Sequence, residues 1–320
     1  MNIPPASSVR DLDVIVAGLS VVDILGRPVN LRRPPKSGSL QSIETVTMTT
    51  GGNVPNVGID LAKLGFKVGA VSRVGNDSIG GFLRSRLEMH DIAPVGLVLD
   101  DRRQTSATIV GVDESGERTF LHARGCMADF RVEDVLDQID VVRRGRVFAF
   151  GYYGLVPECD SDLGRMFRAV KQKTGMPVLL DTGGAPVRND ALLRSFLPEV
   201  DFFLPSFDEA RAITGKSTPA EIVQALRALG AAGVVGVKLG AEGCFIAAGG
   251  KSRRVPVRRV RKVVDATGAG DAFVAGFLAG LLRGFDPFEA AKLGNAVAAS
   301  SLTALGASTA IQPLSAYLMS

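Results

Sequence analysis

The chain has 320 residues, 46% of them apolar, and a formal charge of +4; this is enough to bury a large core, as one large α/β domain or two smaller ones. Its longest apolar stretches, Val14 to Leu19 and the glycine-interrupted Ala272 to Leu282, are too short or too broken to span a bilayer, and MNIPPASSVRDLD holds no signal-peptide core, so a cytoplasmic protein with no membrane partner is expected. Cys126, Cys159 and Cys244 lie far apart with no CxxC pair, and His90 and His122 lack metal-ligand spacing, which leaves neither a disulfide framework nor a zinc site.

In chain order, Met1 to Arg10 reads as a flexible tail and Asp13 to Ala17 as a first strand, with Asp23 in the loop a few residues beyond it. Ser42 to Thr50 alternates like a strand and runs into Gly51-Gly52-Asn53-Val54-Pro55-Asn56 and a helical stretch from Val57 to Gly65. A strand over Val68 to Ser72 precedes Ile79, Phe82, Leu83 and Leu87, which share one helical face. Thr105 to Val112 and Arg118 to Ala123 read as strands joined by a hairpin turn at Asp113 to Glu117. Strands at Val147 to Gly151, Val178 to Asp181, Phe202 to Leu204 and Val234 to Leu239 follow, with Leu163, Met166, Phe167 and Val170 on one helical face between the first two. Asp286-Pro287 is an N-cap and first-turn pair for a last long helix through Leu293 and Val297. Such alternation predicts a mostly parallel sheet with helices on both faces. Residues 24–50 and 96–124 hold strand patterns without a convincing helix and predict a small separate sheet over one end.

The chemistry concentrates at Asp265-Ala266-Thr267-Gly268-Ala269-Gly270-Asp271, which opens an apolar helix at Ala272 and Phe273. Small residues let the backbone approach a ligand, and a helix N-terminus offers unpaired N–H groups and a positive dipole end to an anion. A carboxylate beside an anion cradle either caps its own helix or takes the proton of a nucleophile attacking a bound phosphate. The second role for Asp271 points to phosphoryl transfer. The basic run Lys251 to Lys262 is interleaved with Val255, Val257 and Val260 and reads as one or two strands with a solvated basic face; without Trp, and with few Tyr for stacking, no nucleic-acid partner is expected. Positive charge there would instead draw in a nucleotide triphosphate. Thr214-Gly215-Lys216-Ser217 is not a P-loop, since position 210 is Ala and a helix pattern precedes it, and no GxGxxG follows the first strand.

The same seven residues resemble the C-terminal signature of the ribokinase-like (PfkB) carbohydrate kinases, and Gly51 to Asn56 resembles that family's first signature. Asp23, Ser206-Phe207-Asp208-Glu209 and Val237 to Gly243 fall between them in the family's order, so the resemblance covers almost the whole chain. It implies a single ribokinase-like three-layer αβα sandwich over residues 1–320, with a mostly parallel central sheet. The insertions at 24–50 and 96–124 would form a small β-sheet lid through which a homodimer assembles. It further implies ATP-dependent, Mg²⁺-assisted phosphorylation of a hydroxymethyl group on a small sugar or sugar acid. By the resemblance, Asp271 is the general base and Gly268, Ala269 and Gly270 complete the anion hole. Asp23, Gly51, Gly52, Asn53 and Asn56 bind the substrate, and Ser206, Lys238, Gly240, Gly243 and Asn295 bind ATP. Glu209 organises Mg²⁺ through water, and Asp265, Thr267 and Gly306 match positions that hold a K⁺ ion.

The chain departs from the pattern in two places. Ser206 replaces an Asn three residues before Glu209, and Lys238 stands where many relatives have Thr, which would make it a point charge on the phosphates. Gly116 to His122, followed by Gly125, resembles the lid strand of bacterial sugar kinases more than that of nucleoside kinases. The alternatives are a nucleoside kinase, a phosphosugar kinase using Arg27, Arg32 and Arg33 for the substrate phosphate, and a catalytically silent scaffold relative.

Overall fold

Alternate residues of each apolar run point to opposite sides of one sheet, and each side is covered by helices. In a computed structural model, which describes residues 3–30, 36–184, 188–257 and 259–318, the strands are β1 (Val14–Gly18), β2 (Val21–Arg27), β3 (Thr45–Gly51), β4 (Val68–Gly75), β5 (Ala93–Asp100), β6 (Ala107–Val112), β7 (Arg118–Ala123), β8 (Val147–Tyr153), β9 (Val178–Thr182), β10 (Phe202–Phe203), β11 (Val234–Lys238), β12 (Cys244–Ala248) and β13 (Lys251–Val255). The large sheet has nine strands in the order β13-β12-β11-β10-β9-β8-β1-β4-β5. From β11 to β5 every neighbouring pair is parallel, and β12 and β13 add an antiparallel edge.

Ile15, Phe148, Leu180 and Phe203 enter one core with Phe167 and Phe196, while Val14, Val147, Leu179 and Phe202 enter the other with Phe273 and Phe277. This is the period-2 alternation of strands covered on both faces. The helix faces behave as their spacing predicts: Leu83 and Leu87 are buried on Ser78–Glu88, and Leu163, Met166, Phe167 and Val170 on Leu163–Thr174. Asp286 accepts from the N–H groups of Phe288 and Glu289 at 2.8 and 3.0 Å and caps the helix Pro287–Ser301. Gly215, at φ 68°, ends the helix Phe207–Thr214 and keeps Thr214 to Ser217 out of any phosphate loop.

The second sheet has four strands, β3-β2-β6-β7, with β2 antiparallel to β3, parallel to β6, and β6 antiparallel to β7. The hairpin turn forms as expected: Asp113 Oδ1 accepts from the N–H groups of Ser115 and Glu117. Several sequence expectations change or sharpen. Residues 96–100 belong to β5 of the large sheet, because the run from Ala93 pairs in parallel with β4. Asp23 lies within β2 and not in a loop, since the chain pairs with both β3 and β6 directly after Leu19. Of the basic run, only Lys251 to Val255 forms a strand among the described residues, Arg258 lying outside them. At the N-terminus, Met1 and Asn2 also lie outside the described residues, and Arg10 is anchored by donating to the carbonyls of Gly145 and Thr174 at 2.7 and 2.5 Å. No helix among the described residues is long and apolar enough to cross a membrane.

Candidate active site

Residues at the carboxyl ends of β8, β9 and β11 line one cleft with the start of the helix Ala269–Leu282, where an open parallel sheet presents its ligand loops. Gly268 caps this helix at φ 74°, and a Cβ there would lie 2.4 Å from that of Ala307, so only glycine turns the chain into the helix at this point. Gly268, Ala269, Gly270 and Asp271, whose first-turn N–H groups lack the usual i−4 partner inside the helix, line a cleft of about 840 Å³. Lys238, Gly240 and Gly243 also line the cleft, together with the apolar Val260, Phe273 and Leu302.

Asp271 is buried. Its Oδ2 accepts from Asn56 Nδ2 and from Tyr152 Oη, both at 2.9 Å, while Oδ1 is buried without a partner among the described residues. A donor to a carboxylate contributes roughly 1.5–3 kcal/mol, and the Lys238 ammonium adds attraction. Burial still prevails and pushes the Asp271 carboxyl above its ordinary range, with Asn56, Tyr152 and Lys238 opposing it. Asn56, expected on the substrate, is thus spent in part on Asp271.

Asn53, also expected on the substrate, is committed to the fold. Its Nδ2 donates to the Ala17 carbonyl and its Oδ1 accepts from the Leu19 N–H, both at 2.8 Å, tying the helix Asn53–Lys63 to the end of β1. Gly52, at φ 86°, and Gly51 allow this join: a Cβ on Gly52 would lie 2.4 Å from the Leu19 carbonyl oxygen, and one on Gly51 2.6 Å from Asp23 Oδ2. Asp23, Thr108 and His122 form a row across β2, β6 and β7, with Thr108 Oγ1 3.1 Å from His122 Nδ1. Burial raises the Asp23 carboxyl above its ordinary range against the hydrogen bond from Thr108 and the charges of His122 and Arg118.

On the nucleotide side several expected contacts are redirected. Lys238 Nζ pairs with both oxygens of Asp181 at 2.7 and 2.8 Å, so part of its charge is engaged within the chain, although a Cβ on Gly270 would come within 3.4 Å of that ammonium. Ser206 and Glu209 form a capping box on the helix Phe207–Thr214: Ser206 Oγ accepts from the Glu209 N–H, and Glu209 Oε2 accepts from the Ser206 N–H at 2.9 Å and from Ser206 Oγ and Thr182 Oγ1, each at 2.5 Å. Both residues still line the cleft. Asn295 donates to the carbonyls of Val255 and Pro256 at 2.9 and 3.2 Å and binds strand to helix on the cleft wall.

The residues expected around K⁺ have another occupant. Asp265 Oδ1 accepts from Arg118 Nη2 and from the N–H and Oγ1 of Thr267, at 2.9, 2.9 and 2.7 Å, and Oδ2 accepts from the Gly306 N–H at 3.0 Å. Arg118 Nη1 also donates to Thr267 Oγ1 at 2.5 Å. A cation needs acceptors; this carboxylate is filled by donors, one of them a guanidinium, so the set does not fit a metal ion. For Mg²⁺, no group of three or more His, Cys, Asp or Glu among the described residues could hold the ion alone. The acidic wall of Asp181, Glu209 and Asp271 fits a metal held largely by phosphate and water. Arg27 is exposed at the end of β2, and Arg32 and Arg33 lie outside the described residues.

Asp181, Thr182, Tyr152, Thr108 and His122 escaped the sequence reading. Asp181 and Tyr152 share a usable signal, a polar side chain at the carboxyl end of a parallel strand.

A buried carboxylate at the mouth of a glycine-opened helix, set at the strand ends of an αβα sandwich with a small second sheet, defines the ribokinase-like class of fold. The family model for pfkB family carbohydrate kinases matches residues 11–313, and the chain belongs to that family of carbohydrate kinases. It is 27% identical to a 2-dehydro-3-deoxygluconokinase of Bacillus subtilis (84% of this chain, 85% of that enzyme). To a ribokinase of Haemophilus influenzae it is 29% identical (86% and 88%). The structure of Arabidopsis thaliana ribokinase complexed with ribose and ATP superposes with a TM-score of 0.82 at 25% identity, over 96% of this chain and 98% of that one.

Proposed function

We propose that the chain transfers the γ-phosphate of ATP to a hydroxymethyl group of a small sugar or sugar acid, with Asp271 as general base. The observation that carries this reading is the buried Oδ1 of Asp271, without a partner among the described residues, beside the first-turn N–H groups of its helix on the wall of the cleft. Asp23 accepts from sugar hydroxyls and Asn56 helps orient the acceptor. As Oδ1 takes the hydroxyl proton, the oxygen bonds to the γ-phosphorus, the bond to the bridging oxygen of ADP breaks in line, and the N–H groups of 268–271 stabilise the charge on the transferred group. Asp271 then returns the proton to solvent. A Mg²⁺ bound with the nucleotide, beside Glu209 and Asp181, would neutralise charge on the phosphates. A coupled ADP-release screen over free sugars, sugar acids, nucleosides and phosphosugars tests the reading. Release by no acceptor above an Asp271→Asn control would remove it in favour of a scaffold relative, and a nucleoside or phosphosugar response would move it within the family.

Cation dependence separates the two metal questions. Glu209→Gln should raise the Mg²⁺ concentration for half-maximal rate, whereas Ser206→Asn should change turnover little, because Asn caps a helix as well as Ser does. An unchanged Mg²⁺ curve in Glu209→Gln would leave that carboxylate only its helix-capping task. Arg118 already supplies positive charge at Asp265, so the rate should be the same in sodium and potassium buffers; activation by K⁺ would mean that Arg118 gives way to the ion.

The reading includes the cytoplasm, where ATP is the phosphate donor at hand and three buried free thiols stay reduced, and a homodimer through the small sheet. Val46, Met48, Ile109 and Leu121 are exposed on one face of that sheet, 39% to 68% each, as a pairing surface would be. Sedimentation as a monomer at micromolar concentration would remove the dimer.

A further inference from the structure

Tyr152 is the largest side chain at the site that the reaction just described does not use. It lies where the pairing of β8 with β9 shifts register between Phe150 and Tyr153, and it adopts φ 66°, left-handed backbone that an aromatic residue rarely takes. Strain of this kind persists where the surroundings fix it, and it gathers at functional sites. At this irregularity the ring rests on Gly183, where an added Cβ would lie 2.8 Å from Tyr152 Cγ. From there the phenol donates to Asp271 Oδ2. Burial, with Asp271 and Asp181 near, pushes the phenol well above its ordinary range, so the O–H stays a donor.

We propose that Tyr152 is a positioning residue for Asp271: with Asn56 it pins Oδ2, so that Oδ1 alone is presented to the acceptor hydroxyl. Two donors on one oxygen fix the rotation of the carboxylate, where one donor would leave it free to turn. The inference rests on the proposed role of Asp271 as base. The other groups facing Asp271 come from four further elements: Asn56 and Asp60 on the helix Asn53–Lys63, Asp181 on β9, Lys238 on β11 and Glu209 on the helix Phe207–Thr214. A phenol-to-phenyl change leaves all of them in place.

The test is a carbon NMR titration of the aspartate carboxyls in the full chain, with the Asp271 signal assigned by its loss in Asp271→Asn. Because a donor to a carboxylate favours the ionised form, Tyr152→Phe should raise the Asp271 midpoint by about one pH unit, or tenfold in proton affinity. Gly183→Ala, which crowds the ring off its seat, should move it in the same direction. An unchanged midpoint in a folded Tyr152→Phe protein overturns the inference. The titration needs no acceptor, so it is read separately from the ADP-release screen that decides the reaction. With an acceptor in hand, Tyr152→Phe should lower kcat at neutral pH, recover as pH rises, and leave KM for ATP unchanged. A uniform loss at every pH would mean that the ring only packs.

Discussion

Asp271→Asn should lower turnover at least ~100-fold, the usual scale for loss of a general base, while the affinity for ATP changes little. The amide keeps the size of the carboxyl and can still accept from Asn56 and Tyr152 through its oxygen, but it cannot take a proton. The fold should not suffer. Burial raises the Asp271 carboxyl, and a carboxyl raised in the folded state favours folding only below its unfolded value, an advantage lost as pH rises through the folded one. At neutral pH the ionised group is therefore a cost that the amide removes, and the variant should melt at the same temperature or higher. The wild-type rate should fall as pH drops through the raised carboxyl value, because only the ionised form accepts a proton. Turnover near wild type in Asp271→Asn, measured by ADP release with the acceptor found in the screen, would end the assignment.

Asp23→Ala should weaken acceptor binding by about 100-fold or more, as expected when hydrogen bonds to a charged group, each worth roughly 1.5–3 kcal/mol, are lost. ATP binding should remain nearly intact. Asp23 belongs to β2 of the small sheet, whereas the cleft lined by Gly268 to Asp271, Lys238 and Gly243 is built from the large one. Removing the carboxylate also leaves Thr108 without one partner, a modest cost, since Thr108 keeps His122 within 3.1 Å. Calorimetry with each ligand separates the outcomes. Equal weakening of both would mean that Asp23 holds the small sheet and not the sugar.

Much of this architecture is legible locally. The apolar runs at Val14, Val147, Val178 and Val234, the Asp286-Pro287 start, the Asp113 to Glu117 turn and the αL glycine at 215 each depend on physics within a few residues: strand alternation, an unpaired helix N–H, a backbone that tolerates positive φ. The segment 265–271 is of the same kind, because an anion cradle is a property of a helix start, and small residues must stand there for a ligand to come close. These features are set by the sequence itself.

Which polar groups are spent on the fold is a different matter. Asn53 bonds to β1, Asn295 to the end of β13, Lys238 to Asp181, and Arg118 crosses from β7 to Asp265. Tyr152, one of two adjacent tyrosines in a strand, donates to Asp271 from a point where the strand pairing shifts register. A side chain with several donors or acceptors is equally suited to a ligand or to its own chain, and its residue type does not decide between them. That choice is made by the path of the backbone, which brings groups more than a hundred residues apart within 3 Å and in a buried site leaves few polar atoms without a partner. The tertiary structure therefore determined which oxygen of Asp271 remained free.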